Sequence, residues 1–128
     1  MNRKTLLVED DPWIRDSLAQ YLRDKGCRVL ALGDIPSGHF TLDANRFDVV
    51  ICDHGSPGGD GLAYLALARR VLPDAILILL TGDRAEAVRP AAKRVGVDEV
   101  IGVPFTVATM ERSLERALQR LNGTGRRI

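Results

Sequence analysis

Cysteine is nearly absent from this 128-residue sequence: Cys27 and Cys52 are the only two. That excludes a disulfide scaffold, and a reducing, cytoplasmic setting is the simplest expectation. Aromatic residues make up only 5%, too few for a surface that stacks bases. Neither sign of charge dominates, with 18 basic residues against 17 acidic and a net charge of +1. No global field would draw in nucleic acid or an anionic membrane, so neither is expected as a direct partner. No apolar run approaches the ~20 residues of a membrane span. The apolar stretch near the start, Leu6 to Val8, is too short for a signal peptide. Lysine is scarce as well, occurring only at Lys4, Lys25 and Lys93.

What is present suits one folded domain. Hydrophobic residues make up 45% and charged residues 27%, an ordinary globular balance with enough chain for a core. Five short apolar runs stand out: Thr5–Val8, Val29–Leu32, Val49–Cys52, Ile76–Leu80 and Val100–Val103. They are continuous rather than alternating, as in strands buried on both faces of a parallel sheet. Helical patterns lie between them. Asp11 and Pro12 open the first, Ile14, Leu18, Tyr21 and Leu22 keep its spacing, and Gly26 stops it. The second, over 36–44, is short and contains Gly38, so it should be weak. Asp60 caps the third, with Leu62, Leu65 and Leu72 inward. The fourth contains Pro90, which predicts a late start near Val88 or a kink. The fifth carries Val107, Met110, Leu114, Ala117, Leu118 and Leu121 on one stripe, with Arg112, Arg116 and Arg120 facing solvent. A folded unit over 1–122 and a short tail or linker over 123–128 are expected.

Five β-α repeats predict a doubly wound α/β fold, (βα)5, with right-handed crossovers. Its site should lie at the carboxyl ends of the strands. Acidic residues gather there. Glu9, Asp10 and Asp11 follow the first run, and Asp53 follows the third. Thr81, Gly82 and Asp83 follow the fourth. Asp11 and Asp60 read as helix caps. If the first and third strands are neighbours, Glu9, Asp10 and Asp53 converge and repel, and a cation would relieve them. All-oxygen ligands favour Mg²⁺, or Mn²⁺, over zinc.

These segments carry a resemblance to the receiver domain of two-component response regulators, over nearly the whole chain. "LLVEDDPWIR" resembles the family's opening strand and acidic pair. "FDVVICDHGSPGGDGL" resembles its phosphoacceptor segment, with Pro57 and Gly61 at the usual places, and "ILILLTGD" its strand ending in Thr or Ser. "GVDEVIGVPFT" resembles the segment that normally ends in Lys-Pro-Phe. The resemblance implies a flavodoxin-like five-stranded sheet of order 2-1-3-4-5. It implies Asp53 as phosphoacceptor and Mg²⁺ on Glu9, Asp10, Asp53 and the Gly55 carbonyl. Thr81 would bond a phosphoryl oxygen, and Gly82 would leave access for it. It also implies a cis Val103-Pro104 bond. The implied partners are a histidine kinase or phosphotransfer protein, with self-association or output through helix 4, strand 5 and helix 5.

Two positions depart from the family. Val103 stands where the lysine is expected, and Val100 where many relatives carry an aromatic. None of the three lysines should reach the site, which leaves Arg84 as the nearest cation. Losing one charge-assisted contact forfeits about 1.5–3 kcal/mol, comparable with the ~1–3 kcal/mol of coupling on which a switch runs. A weakened phosphorylation switch is the leading expectation. The alternative is a pseudo-receiver that acts as an interaction module without phosphorylation. No independent enzyme activity is expected beyond labelling and release at Asp53.

Overall fold

All five apolar runs become strands, and each connection between them contains a helix. The computed structural model describes residues 3–55, 59–82 and 85–124. The order is β1 (Lys4–Val8), α1 (Pro12–Asp24), β2 (Arg28–Leu32), α2 (Ile35–Ala44), β3 (Val49–Asp53), α3 (Gly61–Val71), β4 (Ile76–Thr81), α4 (Ala85–Arg94), β5 (Glu99–Gly102) and α5 (Val107–Thr124). The strands form one parallel sheet in the order β2-β1-β3-β4-β5.

Strand alternation sorts the core into two layers. Val8, Val50, Cys52, Leu77 and Leu79 pack on one face with Leu42 of α2, Leu65 of α3 and Ala92 of α4. Leu7, Ile51, Ile78, Leu80 and Ile101 pack on the other with Leu18 and Leu22 of α1 and Met110 and Leu114 of α5. β4 is buried throughout, whereas the edge strand β2 is partly open, with Leu30 42% exposed. Its apolar run therefore does not mark a strand covered on both faces.

The helix ends follow local chemistry. Asp11 accepts from the N–H groups of Trp13 (2.9 Å) and Ile14 (3.2 Å), with Pro12 in the first turn. Gly26 follows the helix at φ 91°, in the left-handed region that favours glycine. Asp60 accepts from Leu62 N–H at 2.9 Å and opens α3. In α2, Gly38 is a packing position. A Cβ there would lie 3.0 Å from the Tyr64 hydroxyl and 3.1 Å from a Val8 methyl, and that hydroxyl donates to the Gly38 carbonyl at 2.7 Å.

Three helix expectations need correction. Of the two outcomes expected from Pro90, the late start does not occur: α4 begins at Ala85, ahead of Val88, and carries Pro90 inside it. Pro90 is exposed, so the Glu86 carbonyl that loses its donor faces water rather than the core. Val107 is 58% exposed, whereas Met110 in the same turn is fully buried, so the apolar stripe meets the sheet only from Met110 on. Arg116 and Arg120 do not simply face solvent: Arg116 donates to Glu99 at 2.9 Å and Arg120 reaches the same carboxylate, which is 7% exposed. α5 runs on to Thr124, and residues 125–128 of the expected tail lie outside the described residues.

Candidate phosphoacceptor and metal site

The parallel register brings the acidic strand ends together. Val8 pairs with Cys52, which sets Glu9 beside Asp53 at the carboxyl ends of β1 and β3. The Glu9 N–H donates to the Leu32 carbonyl (2.9 Å), and its own carbonyl accepts from an Arg15 guanidinium (3.1 Å). Glu9 is 2% exposed, and its carboxylate accepts from the Asp11 N–H at 3.2 Å. Asp11 thus caps α1 and also fixes the Glu9 side chain.

Glu9, Asp10 and Asp53 each offer a carboxylate oxygen, and these atoms lie within 4.8 Å of one another. The crowding shows in their acidity. Glu9 is pushed from 4.5 up to about 7, chiefly by burial, then by contact with Asp10 and by the charges of Asp53 and Asp10; the Asp11 N–H opposes this. Asp53 is also raised, by burial first and then by Asp10, against the pull of His54 and the Gly55 N–H. Three hard oxygen donors that resist ionising together fit a divalent ion such as Mg²⁺. Glu9, Asp10 and Asp53 would hold it.

The loop after Asp53 is set by glycine. A Cβ on Gly61 would fall 2.1 Å from the Asp53 carbonyl oxygen and 2.8 Å from its carbonyl carbon. Only glycine lets α3 start this close to the end of β3. Gly55 is exposed, and a Cβ there would lie 3.9 Å from an Asp53 carboxylate oxygen, so it leaves that oxygen uncovered. Pro57, Asp83 and Arg84 lie outside the described residues.

Asp53 pairs with Leu80, which puts the end of β4 next to Asp53. Thr81 is 3% exposed, and its hydroxyl makes no hydrogen bond among the described residues, while its carbonyl accepts from Val103 N–H at 2.7 Å. A Cβ on Gly82 would meet nothing within 4 Å.

Val103 follows β5, and its bond to Pro104 is cis as expected. It is half-buried against the α1–α5 layer and lines a groove of about 470 Å³ with Trp13, Leu18, Phe105, Val107 and Met110. Sequence reasoning treated Val103 only as a lost charge and missed this groove; the cluster of Trp13, Phe105 and Val107 around the strand ends was the available signal. Val100, 7% exposed, packs in the opposite layer. The Lys4 ammonium lies over Phe47 (5.1 Å) and Lys25 pairs with Glu111 (3.0 Å), while Lys93 lies in the last turn of α4. Among the described residues, no lysine or arginine side chain bonds the carboxylates of Glu9, Asp10 or Asp53.

The response regulator receiver domain model matches residues 5–115. The transcriptional activator protein PfeR of Pseudomonas aeruginosa is 34% identical over 118 residues, covering 92% of this chain and 38% of its own length. The KDP operon transcriptional regulatory protein KdpE of Escherichia coli is 30% identical over 121 residues, covering 93% and 52%. This chain therefore spans only part of the length of these curated relatives. A solved response regulator receiver domain protein from Clostridium thermocellum superposes with a TM-score of 0.79 at 27% identity, covering 91% of this chain and 94% of that one.

Proposed function

The chain belongs to the response regulator receiver domain family, and on that premise we propose that it works as a phosphoacceptor switch centred on Asp53. The observation that carries this reading is the meeting of Glu9, Asp10 and Asp53 within 4.8 Å at the strand ends, with Thr81, 3% exposed, ending the neighbouring strand. The donor is a phosphohistidine of a histidine kinase or phosphotransfer protein. An Asp53 carboxylate oxygen forms the new bond to phosphorus, the bond from phosphorus to the donor imidazole breaks, and the imidazole leaves with the electron pair. Gly82 and Gly55 leave the approach open. Thr81 donates its hydroxyl to a phosphoryl oxygen. Glu9, Asp10, Asp53 and the Gly55 carbonyl hold Mg²⁺, which when bound supplies positive charge against the transferring group.

Val103 weakens the switch by removing a charge-assisted contact worth about 1.5–3 kcal/mol. That same residue favours the second reading, an interaction module that needs no phosphate. Output or self-association is assigned to the α4–β5–α5 face, where Arg89, Lys93, Asp98, Glu99 and Arg120 line a hollow of about 530 Å³. Incubation with acetyl phosphate and Mg²⁺, followed by intact-protein mass, separates the two. The switch requires the gain of one phosphoryl group in the native protein and none in Asp53→Asn. No label with the donor, or a label that persists in Asp53→Asn, would remove Asp53 from the role.

A further inference from the structure

The amino-terminal rim of the sheet, opposite the carboxylates, gathers basic side chains. Lys4 pairs with Arg28 across β1 and β2, so their side chains stand side by side on the face that carries α2 and α3. Arg46 comes just before β3, where the Asp48 N–H donates to the Lys4 carbonyl (2.8 Å) and an Asp48 carboxylate oxygen accepts from the Lys4 N–H (2.9 Å). Lys4, Arg28, Arg46 and Asp48 line a hollow of about 310 Å³ together with Phe47 and Asp74. Arg28 and Arg46 are exposed, and the Lys4 ammonium is held over the Phe47 ring at 5.1 Å. None of these three cations forms an ion pair among the described residues.

We propose that this hollow is a binding site for an oligophosphate, that is, two or more linked phosphoryl groups, either free or at the end of a nucleotide.

Basic residues beside helix C-termini commonly do no more than balance exposed carbonyls. Here other donors meet that need. The Arg69 guanidinium donates to the carbonyls of Leu72 (3.4 Å), Pro73 (2.9 Å) and Ala75 (2.8 Å) after α3. The Asn45 side-chain amide donates to the Thr41 carbonyl in the last turn of α2 (3.1 Å). Asp48 gives a carboxylate oxygen to a backbone N–H, and Asp74 is exposed at the β4 side of the hollow. The three cations lie toward β2, β1 and the start of β3, so an anion on that side meets more positive than negative charge. Size and donor type narrow the ligand. At ~30 Å³ per water the hollow has room for about ten waters, more than a single phosphate ion fills. Arg28 and Arg46 offer planar forks that match phosphoryl oxygens two at a time, and Lys4 offers a point charge. Three cations around one hollow answer the several charges of a diphosphate or triphosphate better than the single charge of a carboxylate.

Isothermal titration calorimetry, in chelator and at constant ionic strength, compares triphosphate, ATP, inorganic phosphate and sulfate on the native protein. Triphosphate should bind at least tenfold more tightly than phosphate or sulfate. ATP binding more tightly than triphosphate would uphold the site and assign it to nucleotides. ATP binding equally or less tightly would uphold it as a site for the phosphate chain itself. Arg28→Gln and Arg46→Gln replace exposed charges by amides, and both variants should keep the native circular dichroism spectrum. Each should weaken triphosphate binding severalfold, and the double variant should lose most of it. Arg112→Gln, which removes an exposed charge from α5, should change nothing. Triphosphate should move the amide NMR signals of Lys4, Arg28 and Arg46. No heat from triphosphate or ATP, equal affinity for sulfate and triphosphate, or undiminished affinity in the double variant would overturn the site. Signals that move only at Arg89, Lys93 and Arg120 would also overturn it, because they would put the anion in the hollow beside α4, β5 and α5.

Discussion

Replacing Glu9 by glutamine should stabilise the metal-free protein at alkaline pH and flatten its response to pH. Glu9 is 2% exposed, and its carboxyl is pushed from 4.5 to about 7 by burial first and by its acidic neighbours second. An acid that holds its proton more tightly folded than unfolded favours the folded state only while it is protonated. That contribution is fully present below pH 4.5 and is lost as pH rises through about 7. The interval converts to ~3 kcal/mol of lost stability. Asp53, raised for a similar reason, acts in the same direction. Glutamine keeps an acceptor for the Asp11 N–H (3.2 Å) but brings no charge. Urea unfolding followed by circular dichroism, in chelator, at about pH 5 and about pH 8, reads the effect. The native midpoint should drop between the two conditions. The variant should drop less and finish above the native protein at the higher pH. Mg²⁺ should return most of the native loss and little of the variant's, since only the native site presents three carboxylates. A native midpoint that holds or rises with pH, or a variant no more stable at about pH 8, would refute the claim that Glu9 is a buried, repelled carboxylate.

Gly61→Ala should cost at least about 1–3 kcal/mol and weaken Mg²⁺ binding, because the new Cβ meets the Asp53 backbone at 2.1 Å and no rotamer relieves that; thermal unfolding and Mg²⁺ titration of Trp13 fluorescence check it, and a neutral result would contradict the close approach. Pro90→Ala should raise stability by roughly 1–3 kcal/mol, since the exposed position regains a donor for the Glu86 carbonyl; a urea midpoint that falls would mean that the proline ring itself is packed. Glu99→Gln should cost about 1 kcal/mol and lose its effect in high salt, because Arg116 and Arg120 are roughly half-exposed partners of that carboxylate. A loss that salt does not diminish would show that packing, not charge, is what Glu99 contributes.

The sheet was legible because parallel strands covered on both faces must carry continuous apolar runs, as β1 does over Leu6–Val8, β3 over Val49–Cys52 and β4 over Ile76–Leu80. Helix starts were legible because a cap is local chemistry, as at Asp11 and Asp60. Properties that depend on what lies across a gap were not. The run in β2 has the composition of a covered strand, yet it lies at the sheet edge. Pro90 reads as a helix breaker until its position on the exposed side of α4 is known. Arg116 and Arg120 belong to a periodic basic stripe, and only the fold brings Glu99 beneath them. The carboxylates were legible as a group because one strand order makes their strand ends adjacent. Gly61 was legible as a loop glycine, but its contact with the Asp53 carbonyl was not, because nothing in the spacing fixes how closely α3 approaches β3.

Val103 illustrates why a missing residue has to be considered together with the one that replaced it. A lysine at this position would do two things at once. Its ammonium would answer the carboxylates, and its four-carbon stem would lie over apolar neighbours, as long basic side chains do. Valine does neither. Its branched side chain packs against the α1–α5 layer, lines the groove together with Trp13 and carries no charge.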